Sequence, residues 1–163
     1  MIEFNSRGYI VPADVIETDF DTFEQTFVFN DHRKLIFDEY LNFVAVLKNL
    51  DIGSFSQWLN GSFTTKKMYP NDIDVVTFIN FAKYERLDRV LREIKLDFRS
   101  RKKIDSYFVI AYPESHPNYL NYRADKLQFL HDFTRDRKQE SIKNIKLPKG
   151  LVSINFNSFN DEQ

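Results

Sequence analysis

The residues best suited to chemistry are Asp72 and Asp74, two apart in the run Asp72-Ile73-Asp74-Val75-Val76. Val75, Val76, Thr77, Phe78 and Ile79 are β-branched or aromatic and Pro70-Asn71 supplies a turn ahead of them, so Asp72 to Phe78 is predicted to be a strand. Side chains alternate between the faces of a strand, which aims both carboxylates the same way with Cα atoms about 6.5–7 Å apart. Carboxylates that close resist joint ionisation unless a cation lies between them. A hard divalent ion meets that need. Mg²⁺, or Mn²⁺ in its place, suits a site with few carboxylates whose other ligands are water or phosphate.

Ahead of this pair stands Trp58-Leu59-Asn60-Gly61-Ser62. Gly61 lets the backbone approach a ligand closely, and Ser62 offers a hydroxyl and an N–H at the expected start of a short helix, Ser62 to Lys67, a geometry that suits phosphate. Lys66 and Lys67 lie near enough in sequence to reach the same phosphate; surface lysines beside a loop are the plainer reading. An Asp-x-Asp alone is more often a solvated strand edge, and a Gly-Ser alone a loop. The order and apolar flanks of the two together carry the reading.

Gly-Ser, a spacer and an Asp-x-Asp between apolar residues resembles the nucleotidyltransferase superfamily, including the minimal nucleotidyltransferase proteins paired with HEPN-domain toxins. More narrowly, WLNGSF and P-x-DIDVV, with an early FNSRGYIVP and a late LPKG, look like a bacterial family of nucleotidyltransferase-like proteins, and these landmarks span residues 4 to 150. The resemblance implies a polymerase β-like nucleotidyltransferase fold: α/β (α+β), a small mixed sheet flanked by helices. It calls for a third carboxylate on a neighbouring strand, and Asp105 in Lys103 to Ile110 fills that place, with Ser106 where the pattern prefers an apolar residue. Three carboxylates would hold two ions about 4 Å apart for in-line displacement at phosphorus. Arg137 and Lys149 match basic positions of the narrower family and are carried as phosphate contacts. The implied reaction moves a nucleoside monophosphate, AMP first, from an NTP (ATP expected) to a hydroxyl. The acceptor is a protein partner such as a HEPN-like toxin in a toxin–antitoxin or phage-defence system. The alternatives are an RNA 3′ end or a catalytically silent partner-binding module.

The elements that must position these residues follow from periodicity. Thr18 is expected to cap a helix carrying Phe20, Phe23 and Phe27 on one face. A longer helix from about His32 to Leu50, capped by Asn30 or Asp31, would face inward through Leu35, Ile36, Phe43, Val44 and Leu47. Ser54 to Asn60 is the strand delivering Gly61-Ser62. Ala82 to about Leu96 reads as a helix joining the Asp-pair strand to the Asp105 strand. Asn118 to about Asp136 reads as another, with Leu120, Ala124, Leu127, Leu130 and Phe133 inward. Leu151 to Phe156 closes the sheet, with Val152, Ile154 and Phe156 on one face.

The 163 residues are expected to form one domain, residues 1–50 a helical extension packed on it and 157–163 a frayed tail. A formal net charge of −1 argues against coating nucleic acid through bulk charge. Bases nevertheless cluster at Lys95 to Lys103 and Arg135 to Lys149. His32, His116 and His131 read as surface or capping histidines. The absence of cysteine excludes thiol chemistry and, with no membrane-span or leader pattern, fits a cytoplasmic protein.

Overall fold

The computed structural model describes residues 2–135 and 147–157. The chain runs β1 (Glu3–Phe4), β2 (Ile10–Val11), β3 (Val15–Glu17), α1 (Phe20–Phe27), α2 (Asp31–Asn49), β4 (Phe55–Asn60), β5 (Ile73–Asn80), α3 (Phe81–Ser100), β6 (Ile104–Ala111), α4 (Tyr119–Phe133) and β7 (Leu151–Phe156). Five strands form one mixed sheet in the order β3-β7-β4-β5-β6, and β1 and β2 pair as a separate hairpin. This is a mixed α/β architecture with helices on both faces. The first fifty residues, expected as a helical extension, also supply the hairpin and the edge strand β3.

The alternation of each strand sorts its residues between two cores. Ile73, Val75 and Ile79 of β5, with Ile104 of β6 and Val152, Ile154 and Phe156 of β7, pack under α1, α2 and α3 against Phe23, Phe37, Phe43, Leu91 and Phe98. Trp58, Val76, Phe78, Val109 and Leu151 face the other way and meet Phe133, Phe129 and Tyr122 of α4. Asp74 shares the parity of Val76, and Asp105 that of Val109. Both carboxylates therefore project from the α4 face.

Several expectations shift. Asp19, not Thr18, caps α1, its Oδ1 accepting from Thr22 N at 2.7 Å. Asn30 caps α2 through Arg33 N at 2.8 Å. Leu35 is exposed; Phe37 and Tyr40 take the inward positions. On α4, Leu120 and Leu127 are 76% and 57% exposed and Ala124 is also on the outside. The inward stripe is Tyr122, Phe129, Leu130 and Phe133. Among the described residues no helix is long and apolar enough to cross a membrane.

Candidate active site

Three neighbouring strands bring three oxygen-bearing side chains into one row. Asn60 of β4 is the antiparallel Cα partner of Asp74 in β5, and Asp74 is the parallel partner of Asp105 in β6. Adjacent strands lie about 4.8 Å apart, so the row crosses the sheet in two such steps. Asp72, expected as the first residue of the strand, lies one residue before β5 begins. There Ile73 N donates to Lys103 O at 3.0 Å, which ties the start of β5 to the start of β6. Burial, and then the charge of Asp105, raise the Asp72 carboxyl above its ordinary value. Asp105 Oδ2 accepts from Tyr107 Oη at 2.8 Å.

Gly61 turns the chain at the end of β4 with φ +82°, and a Cβ there would stand 2.5 Å from Asp74 Oδ2. Both the backbone conformation and the closeness of the carboxylate require glycine. The expected helix from Ser62 to Lys67 is absent. Its place is taken by turns in which Thr64 Oγ1 donates to Gly61 O at 3.4 Å, Thr65 Oγ1 donates to Ser62 O at 2.8 Å and Lys67 N donates to Thr65 Oγ1 at 3.1 Å. Threonine hydroxyls that bond nearby backbone compete with a helical ladder, which is the physical reason the helix does not form. No helix N-terminus therefore stands at Ser62.

The loop is held from behind by the first turn of α2. Arg33 is fully buried, lies between the rings of Phe29 and Phe63 at 4.4 Å from each, and donates to the carbonyls of Phe27, Phe63 and Lys67. Burial lowers its guanidinium to about 10, which leaves it charged at neutral pH. Asn30 Nδ2 donates to Met68 O at 2.9 Å, and His32 Nε2 meets Pro70 O at 2.6 Å. In front, Lys66 N donates to Gly8 O at 3.0 Å and Thr65 bridges Tyr9, so the Asn5–Tyr9 loop between β1 and β2 lies against the Gly61-Ser62 segment.

Between these parts opens a cleft of about 560 Å³. Its lining includes six expected site residues: Gly61, Ser62, Lys66, Lys67, Asp74 and Lys149. It also includes Asn60 and Arg7, which motif reasoning left out, together with Arg135 of the basic cluster noted in the sequence and Asp132. Lys149 is only 6% exposed, and its Nζ donates to Gly61 O at 3.3 Å. Lys66 holds its ammonium 4.1 Å from the centre of the Phe4 ring, and burial, then Arg33, lower its pKa. Asp72 and Asp105 are not part of the cleft lining; Asp105 is the β6 partner of Asp74, and Asp72 precedes β5. Arg137 lies outside the described residues.

The cleft is basic around one acidic point. Arg7, Lys66, Lys67, Arg135 and Lys149 line it against Asp74 and Asp132. Among the described residues, no three acidic or histidine side chains are drawn together as a ligand cluster, so Asp72, Asp74 and Asp105 do not make a closed cage. The donors nevertheless fit an open oxygen site for a divalent ion. They are carboxylates and one carboxamide, and Asn60 Oδ1 is buried without a hydrogen-bond partner. The sequence holds only a slight signal for Asn60, a poor strand former at the end of β4.

No histidine lines the cleft. His116 stacks on Tyr112 and Phe81, its Nδ1 accepting from Asn118 N, and His131 approaches Asp132 at 3.3 Å.

Comparison with family models matches residues 2–155 to DUF6932, described as a family of unknown function. No curated protein matches the chain. No solved structure matches it either.

Proposed function

We propose, for a chain that belongs to the DUF6932 family of unknown function, a metal-dependent nucleotidyltransferase that moves a nucleoside monophosphate from an NTP to a hydroxyl of a protein partner. The observation that carries this reading is the register that sets Asp74 opposite Asp105, on one face, beside the Gly61 bend and a basic cleft. The order Gly-Ser after β4, Asp-x-Asp into antiparallel β5 and Asp105 on parallel β6 supports a nucleotidyltransferase-type fold.

In this reading Asp72 and Asp74 hold Mg²⁺ or Mn²⁺, with Asp105 available to a second ion. Bound there, the ion supplies charge neutralisation and Lewis acidity at the phosphates. Lys149, Lys66, Lys67 and Arg7 draw the triphosphate into the cleft, and the turn at Gly61-Ser62 presents hydroxyl and backbone groups to its β- and γ-phosphates. Asp105 takes the proton of the acceptor hydroxyl. The acceptor oxygen bonds to the α-phosphorus, the bond from that phosphorus to the bridging oxygen breaks, and pyrophosphate leaves. Bound ATP, AMP transfer and a HEPN-like toxin as acceptor are parts of the same proposal, as is a cytoplasmic site of action.

An RNA 3′ end is the second reading. It is favoured by a further cleft of about 570 Å³ on the same face, where Tyr119, Tyr122, Arg123 and Lys126 offer rings and positive charge. Incubation of the purified chain with cell lysate, Mg²⁺ and each α-labelled NTP tests both. Labelled protein that disappears with Asp72→Ala/Asp74→Ala supports the first reading, and labelled RNA the second. No label from any NTP leaves a catalytically silent partner-binding module.

A further inference from the structure

Asn60 occupies a position where its carboxamide oxygen has no structural task. The residue is only 4% exposed and ends β4 on the α4 face, and Asn60 Oδ1 and Ser106 Oγ are the buried side-chain polar atoms without a partner among the described residues. Ser106 points to the opposite face from Asp105, away from the cleft. Asn60 instead lines the cleft and is the direct cross-strand partner of Asp74. An acceptor buried without a donor is costly, so a structure that keeps one beside a binding site has a donor or cation in view for it.

Resting on the reading of Asp74 as a cation-holding carboxylate, we propose that Asn60 Oδ1 is a further ligand of the divalent cation at Asp74. Side chains directly opposed on an antiparallel pair have Cβ atoms about 5 Å apart, which lets one ion reach oxygens from both. A carboxamide oxygen is a hard donor like a carboxylate oxygen. Being neutral, it adds a ligand to the Asp74 site without adding to the repulsion that Asp72 and Asp105 already exert on one another. The Gly61 bend brings backbone close to the Asp74 carboxylate, and Asn60, the residue before it, is the cross-strand partner of Asp74.

Mn²⁺ titration without nucleotide, followed by electron paramagnetic resonance of the free ion, tests the assignment. Asn60→Leu and Asn60→Ala should each weaken Mn²⁺ binding about tenfold or more, while their thermal midpoints without metal stay at or above that of the wild type, because the orphaned acceptor has gone. Asn60→Asp, which keeps an oxygen at the same reach, should retain or tighten binding. Unchanged Mn²⁺ affinity in Asn60→Ala, or a loss in Asn60→Asp equal to that in Asn60→Leu, overturns the proposal. If the wild type binds Mn²⁺ and Asp74→Asn abolishes it while Asn60→Leu does not, only the Asn60 assignment fails. If the wild type binds none, the metal site fails with it.

Discussion

At Asp72, burial and the neighbouring Asp105 both oppose the charged carboxylate. Its folded pKa lies above the ordinary 3.8, so the folded chain binds the proton more readily than the unfolded one. Stability contributed by the protonated form is therefore lost as pH rises from 3.8 through the raised value and stays lost above it. Asp72→Asn should remove that slope. Without divalent ions its melting temperature should exceed the wild-type value at neutral pH by about 1–2 °C, a small gain because solvent screens a half-exposed pair. Paired melting curves across the acidic range check this, and a variant that melts lower at neutral pH contradicts it. Gly61→Ala places a side chain at positive φ and against Asp74. It should cost about 1–2 kcal/mol by denaturant unfolding, and it should lower nucleotide transfer about 100-fold through displacement of the carboxylate. Asp72, Asp74 and Gly61 were singled out in the sequence because they sit in local motifs, and Asp105 because the resemblance calls for a third acid on a later strand. Asn60 and Arg7 were not, since nothing in their own neighbourhoods says that distant segments will face them.

At the scale of elements, the linker between Gly61-Ser62 and Asp72 is shaped from outside itself. Four of its carbonyls, those of Phe63, Lys67, Met68 and Pro70, are met by Arg33, Asn30 and His32 at the start of α2. Arg33→Met keeps apolar bulk between Phe29 and Phe63 but abandons three carbonyls, and should destabilise the fold by about 3 kcal/mol or more in denaturant titration. A loss under 1 kcal/mol would mean that the loop holds itself. The helices α1 to α4 and the strands β4 to β7 followed from β-branched runs and apolar spacing, yet the inward face of α4 was largely misread. Tyrosine and lysine count as polar in such a pattern, whereas Tyr122 packs its half-buried ring against the core and Lys126 lays its ammonium 5.5 Å from the centre of the Trp58 ring. Phe133→Ala should therefore cost about 3–5 kcal/mol. Leu127→Ser should stay within about 0.5 kcal/mol of wild type.

At the scale of the whole molecule, the cleft is assembled from the Asn5–Tyr9 loop, the end of β4, the start of β5, the C-terminal end of α4 and Lys149. No single stretch of sequence contains it. A net charge of −1 conceals a cleft lined by five bases and two acids. The mixed sheet and its carboxylate row were foreseeable from patterning together with the resemblance. The turns that replace the expected Ser62 helix, and the hairpin laid against them, depend on long-range contacts that patterning does not carry. The central claim is that the row beside Gly61 holds a cation, and through it a polyphosphate. Titration calorimetry of ATP into the purified chain, with Mg²⁺ or with chelator, tests it most directly. The account predicts binding that requires Mg²⁺ and weakens at least tenfold in the isosteric variant Asp74→Asn; absent binding, or equal binding in wild type and variant, would contradict it.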